Sequence, residues 1–185
     1  DSVFVVISIL NRQILAAHST VGRLKVDAAR QRVLDINPAC VVRTYPIFYT
    51  PETADSFDFT QYDYIVDAID TGTGKLALVE RAVAVNKPII CCMGTGNKLD
   101  PSQLRLADIS ETYGCPLARV MRKELRNRGI HHQAVVFSPE EASPTAQLEA
   151  PPPGRRSVPA SNLWVPATAG LLLGSAVVRD LVSQS

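Results

Sequence analysis

The four cysteines of this 185-residue chain, Cys40, Cys91, Cys92 and Cys115, form no CxxC pair. That argues against a zinc ribbon. Charge of one sign is also lacking. The net charge is +1, so no global field calls for an anionic partner, and any nucleic-acid surface must be a local patch. No apolar run reaches the roughly 20 residues of a membrane helix. The longest, Leu163 to Val178, contains Pro166, and the expectation is a buried helix with no membrane span. No basic stretch precedes an apolar run at Asp1. The expectation is therefore a cytoplasmic protein with reduced thiols. A glycine-rich phosphate loop is missing ahead of Asp1 as well. The chain is expected to start partway through its own fold, as a piece of a longer protein.

What is there is ordinary for a globular protein. Hydrophobic residues make up 46% and charged residues 20%, enough for one domain with a core. The apolar runs Val3 to Ser8, Val41 to Phe48, Tyr64 to Ile69 and Pro88 to Cys92 suit buried strands. Between them, Leu24 to Ile36 and Gly74 to Val85 repeat apolar residues at near-helical spacing, stopped by Pro38 and by Asn86-Lys87-Pro88. Pro51 to Phe59 reads as a loop or short helix. Alternating strands and helices predict an α/β fold with a doubly wound, mostly parallel sheet.

Beyond Met93 a smaller mixed portion is expected. Leu104 to Ile109 alternates like a strand, and Gln133 to Ser138 is another. Pro116 to Arg128 is a helix with proline in its first turn and Gly129 as its C-cap. A last helix runs from about Ala167 to Val182. The assignment is one domain, residues 1–142 and 159–185, interrupted by a proline-rich loop at 143–158.

Three charged residues stand in separate connections. Arg12 follows the first strand, Lys25 opens a helix, and Asp70 lies just past the third strand. Doubly wound sheets place their ligand crevice at the carboxyl ends of strands. Arg and Lys hold phosphates there, and a carboxylate holds the accompanying magnesium. Taken singly, each has a plainer explanation. A lone Arg or Lys is usually a solvated charge, and Asp70 alone could cap the next helix through Thr71-Gly72-Thr73-Gly74. Together they predict one polyphosphate site.

Longer stretches carry a resemblance. They are Leu10-Asn11-Arg12-Gln13, the run His18 to Val26, Asp35-Ile36-Asn37-Pro38, the run Tyr62 to Asp70, Met93 to Pro101, and Cys115-Pro116-Leu117-Ala118. In these the chain resembles the ThiF/MoeB-type adenylating enzymes, in particular the branch that cyclises threonylcarbamoyladenosine in tRNA. The likeness covers Asp1 to about Ser138 and the last helix.

The resemblance implies a Rossmann-like sheet, here without its first strand and glycine loop. It implies ATP and Mg2+ as cofactors. Asp1 matches the aspartate on the ATP ribose, Arg12 and Lys25 match the phosphate ligands, and Asp70 matches the magnesium-side carboxylate. Asn11 and Gln13 share the arginine's motif. Arg12 and Asp70 are the residues expected to be catalytic. Where the family has a Ser/Thr-Asn pair, Ser8-Ile9 stands here, so one polar contact is lost. The implied reaction is ATP-dependent cyclodehydration through a carboxyl-adenylate, with tRNA as partner and a homodimer as the assembly. Two alternatives remain. One is adenylation of a ubiquitin-like sulfur-carrier protein, with a sulfur-transfer partner, which the absence of CxxC pairs disfavours. The other is a non-catalytic dimerisation scaffold.

Remaining features are weighed the same way. Cys91 and Cys92 end an apolar strand and read as small buried side chains. Cys115 precedes a helix start that favours a thiolate, so an acyl-acceptor role is weighed for it. Arg119, Arg122, Lys123 and Arg126 share one face of a helix. A solvated face is the usual explanation, and a phosphate-tracking patch for tRNA the functional one. His131-His132 reads as exposed filler, and Gly170 to Gly174 as core or dimer packing.

Overall fold

The computed structural model describes residues 4–144 and 160–183. Asp1 and most of the expected proline-rich loop lie outside these residues. The chain forms two compact units, residues 1–49 and 50–185.

In the first unit the helix expected from residue 24 forms as α1, Lys25–Ile36. The two strands expected there do not form. Phe4 makes a single antiparallel bridge to Leu24, and the Val5 N–H donates to the Arg23 carbonyl at 2.8 Å. Ile7–Ile9 then winds into a 3-10 turn. The reason is pairing. A strand needs neighbours to satisfy its ladder. Here local bonds take the backbone groups instead, with Ile9 N–H on the Val6 carbonyl at 3.1 Å and Leu10 N–H on Ile7 at 3.2 Å. Residues 41–48 likewise find no ladder, and Val41 is 88% exposed. A small core of Val5, Ile9 and Ala28, flanked by Leu15 and Ala16, holds the unit.

The second unit contains a four-stranded sheet in the order β1-β2-β4-β3. The strands are β1 (Ile65–Asp67), β2 (Ile89–Cys92), β3 (Arg105–Asp108) and β4 (Ala134–Phe137). β1, β2 and β4 run parallel, and β3 pairs antiparallel with β4. This is the expected mostly parallel sheet with its mixed C-terminal part. Between β1 and β2 runs α2 (Gly72–Ala84), a βαβ crossover that packs on both strands.

Strand alternation splits the core in two. Ile90 of β2 and Val136 of β4 face α4, Trp164–Ser183, through Val165, Ala169, Leu173 and Ala176. The intervening residues Cys91, Val135 and Phe137 are buried on the other side. In α3, Pro116–Asn127, the buried residues Ala118, Met121 and Leu125 recur at helical spacing, and α3 packs against α2. Arg128 fastens their ends, bonding Glu80 at 3.1 Å and Glu124 at 2.8 Å. α4 starts at Trp164, three residues earlier than expected, because Pro166 falls in the first turn where its missing N–H costs nothing. The helix is not buried all round, as Leu171 and Val182 are each 70% exposed. By length and composition alone it could cross a membrane, but its inner face is packed on β2 and β4.

Two contacts yield tests. Gly114 sits at φ +68°, and a Cβ there would lie 2.3 Å from the Pro139 carbonyl oxygen. Gly129 has φ +76° but open space around it. Gly114→Ala is expected to cost at least about 2 kcal/mol and Gly129→Ala only about 1 kcal/mol. Thermal melts showing equal losses would contradict the Pro139 contact. Tyr64, just ahead of β1, donates its hydroxyl to Asp180 of α4 at 2.8 Å. Burial first, and then Asp180, push the phenol up to about 12. A raised acid of this kind stabilises the fold below its unfolded value near 10, and that contribution is lost as pH rises towards 12. Tyr64→Phe should therefore lose less stability than the parent between pH 10 and 12. Parallel denaturation curves across that window would refute the bond.

Candidate functional site

The end of β1 is built around a buried ion pair. Asp67 closes the strand with a side chain that is fully buried, and Lys75, one turn into α2, is equally buried. The Lys75 ammonium donates to both Asp67 oxygens, at 3.1 and 3.0 Å, and to the Cys92 carbonyl at the end of β2, at 2.7 Å. Those three acceptors match its three N–H donors. Asp67 also accepts the Ile69 N–H at 3.1 Å, closing a turn two residues on. The chain emerges from that turn at Asp70, which is exposed, and Thr71 leads into α2. Sequence reasoning missed Lys75. The signal was present: Lys75, Leu78, Val79 and Ala82 lie on one helical face, so a lysine stood on the apolar side of α2.

Cys91 and Cys92 at this edge are held protonated. Burial pushes the Cys91 thiol well up, and the Asp67 charge adds to it while Lys75 opposes. Cys92 is pushed up to about 11, again chiefly by burial. Cys115 stands at the N-cap of α3 and is buried, and a Cβ placed on Gly94 would lie 3.7 Å from its sulfur.

A second cluster follows β2. Asn97 adopts φ +59°. Its backbone and side chain bond Ser143, the first residue of the expected proline-rich loop, and Ala160, just beyond its end. Lys98, buried, donates to the Ser138 carbonyl at 2.9 Å and to that of Glu140. The Glu140 carboxylate in turn accepts the N–H groups of Leu99 and Asp100, at 2.7 and 3.1 Å. Trp164 at the start of α4 donates to the Leu99 carbonyl at 2.8 Å. The Met93 to Pro101 motif thus ties β4 to α4.

In the first unit Arg12 follows the 3-10 turn, half-buried, and its guanidinium donates to the Ser8 carbonyl. Gln13 is half-buried beside it and Asn11 is exposed. Lys25 is the first residue of α1, half-buried, after a Leu24 N-cap that supplies no side-chain acceptor. The first-turn N–H groups of α1 are therefore not capped from that position. The Phe4–Leu24 bridge joins the segments carrying Arg12 and Lys25. Asp70 belongs to the second unit.

On α3, Arg119, Lys123 and Arg126 are exposed, and their side chains make no hydrogen bond or ion pair with any described residue. Arg122 departs from the expected patch. It is half-buried and committed to Thr112, bonding its carbonyl at 2.7 Å and its hydroxyl at 2.6 Å. His131 and His132 are exposed, as expected, with His132 lying 3.5 Å from Asp108.

A family model, described as the ThiF family, matches residues 4–179. The chain belongs to the ThiF family. Among ThiF-family relatives, the tRNA threonylcarbamoyladenosine dehydratase of Bacillus subtilis is 40% identical over 182 residues, covering 94% of this chain and 72% of its own. The dehydratase of that name from Haemophilus influenzae is 36% identical over 117 residues, covering 63% of this chain and 45% of its own. Crystal structures of the Escherichia coli dehydratase, one with AMP and one with ATP, superpose with a TM-score of 0.82 at 27% identity. Each covers 98% of this chain and 73% of the other. This confirms the expected ThiF-family likeness and its Rossmann-like fold.

The thiol environments carry a test. Iodoacetamide at pH 8 should modify half-buried Cys40 in the native protein, and Cys91 and Cys92 only on unfolding. Rapid native labelling of Cys91 would contradict its buried, protonated state.

Proposed function

We propose that the chain carries out ATP-dependent cyclodehydration of threonylcarbamoyladenosine in tRNA. One observation carries this reading: the B. subtilis relative that aligns with 94% of the chain is a dehydratase of that name, and the E. coli dehydratase was solved with ATP and with AMP in a fold that matches 98% of this chain. The same alignment favours it over the sulfur-carrier and scaffold alternatives.

The chemistry follows from the substrate. A carboxylate is a poor electrophile. Its oxygen attacks the α-phosphorus of ATP and pyrophosphate leaves. The nearby carbamoyl group, through nitrogen or oxygen, then attacks the activated carbonyl, AMP leaves, and a proton is lost as the ring closes. The second attack is intramolecular, so holding the substrate in position supplies much of the acceleration. No protein nucleophile is required, in keeping with the protonated Cys91 and Cys92.

The residues divide the work. Arg12 offers a planar fork suited to phosphate oxygens, and Lys25 a point charge at a helix N-terminus. Both stabilise charge that grows on the phosphates as the bond breaks. Asn11 and Gln13 support the Arg12 turn, and Asp1 takes the ribose. Asp70 holds Mg2+. The donor chemistry fits, because Mg2+ favours one or two carboxylates together with substrate phosphates and water. No cluster of three or more His, Cys, Asp or Glu among the described residues offers a dedicated cage. Magnesium, when bound, neutralises the phosphate charge that would repel an incoming carboxylate. Arg119, Lys123 and Arg126, whose side chains have no partner among the described residues, are the tRNA-facing cations of this reading. The homodimer and the cytoplasmic setting belong to the same proposal.

ATP–pyrophosphate exchange tests it. Exchange should require tRNA bearing threonylcarbamoyladenosine. Arg12→Ala and Asp70→Ala should each reduce it by about a hundredfold or more. Exchange that ignores the modified tRNA, or survives either substitution, would overturn the assignment.

A further inference from the structure

We propose that Lys75 is a positioning residue whose bond to Asp67 sets the turn that presents Asp70 to the nucleotide's metal. The inference rests on the reading of Asp70 given above.

Asp67 shares the buried face of β1 with Ile65, while Val66 between them is exposed, and an apolar residue at 67 would fill the space without desolvating a charge. Replacing a buried ion pair by apolar side chains of similar volume is often neutral or stabilising. Stability alone therefore does not account for the pair. What an apolar pair could not supply is an acceptor for the Ile69 N–H, which lies 3.1 Å from Asp67 Oδ1. That bond turns the chain out of β1 one residue before Asp70. The carboxylate is itself immobilised, because Lys75 grips both of its oxygens and is anchored by the Cys92 carbonyl. One ammonium thus joins the end of β1, the first turn of α2 and the end of β2. All lie at the carboxyl edge of parallel strands, where such sheets bind ligands. Groups that orient a metal ligand from behind commonly carry a 10–100-fold effect on metal affinity.

Two double variants and two measurements test this. Asp67→Leu/Lys75→Met removes the pair and the Ile69 acceptor. Asp67→Asn/Lys75→Met removes the charges but keeps a carbonyl for the Ile69 N–H. The measurements are hydrogen exchange at the Ile69 amide and the Mg2+ concentration giving half-maximal ATP–pyrophosphate exchange.

In the Leu/Met variant, Ile69 should exchange at least about tenfold faster and the half-maximal Mg2+ should rise about 10–100-fold, with the ATP KM at saturating Mg2+ little changed. A purely structural role would lower the melting temperature and leave the Mg2+ response where it was. Wild-type protection of Ile69, or an unshifted Mg2+ response, overturns the proposal. Should the Leu/Met protein not fold, the Asn/Met protein decides. It should keep Ile69 protected and need no more than about threefold extra Mg2+, whereas a larger rise with Ile69 still protected overturns the proposal. Asp70→Asn separates the two layers. A wild-type Mg2+ response in Asp70→Asn ends the underlying reading. An inactive Asp70→Asn beside an unshifted Leu/Met variant ends only the positioning role.

Discussion

The second unit is organised around one buried ammonium. Lys75 and Asp67 have no exposed surface, and charges so placed are tolerated only when every bond is satisfied. The Lys75 donors are shared between the Asp67 carboxylate and the Cys92 carbonyl. That requirement fixes the register of α2 on the sheet, since a helix turned by one residue would leave both charges unpaired in an apolar layer. The parallel pairing of β1 with β2 brings Asp67 opposite Cys91, and the bond to the Cys92 carbonyl closes the same edge. Cys91 and Cys92 feel the apolar setting too, as thiols that do not ionise near neutral pH.

The rest of this unit is layered about that edge. α4 covers one face through Val165, Ala169, Leu173 and Ala176, and α2 covers β1 and β2. The loops after β1 and β2 leave the sheet at the same end, as parallel strands require. One carries Asp70, and the other carries the Met93 to Pro101 motif. The first is steered by a carboxylate accepting an amide. The second is steered by Lys98 and Glu140, which reach back to the backbone on either side.

Most of the second unit was legible in the sequence. α3 announces itself by Pro116, the periodic Ala118, Met121 and Leu125, and Gly129, and the structure differs only at its final residue. β2 and β4 read as apolar runs because they are buried on both faces. The strands at 3–8 and 41–48 were misread because apolar content does not report pairing, and ladder partners are set by tertiary structure; Ile7 and Val41 are exposed here rather than buried. Arg122 illustrates the same limit. Helical spacing placed it on a basic face, but spacing does not reveal that the Thr112 carbonyl and hydroxyl lie within its reach. Asp70, Arg12 and Lys25 were recognised through motif text, whereas Lys75 belonged to no motif considered and showed only as a charge on an apolar helical face.

Asn97 has a consequence for how this protein tolerates variation. Ser143 on one side and Ala160 on the other both bond this single residue, so the two segments meet at nearly one point. A connection with its ends pinned together adds little closure entropy as it lengthens. Relatives could gain or lose residues between those two pins while α4 kept its seat on β2 and β4.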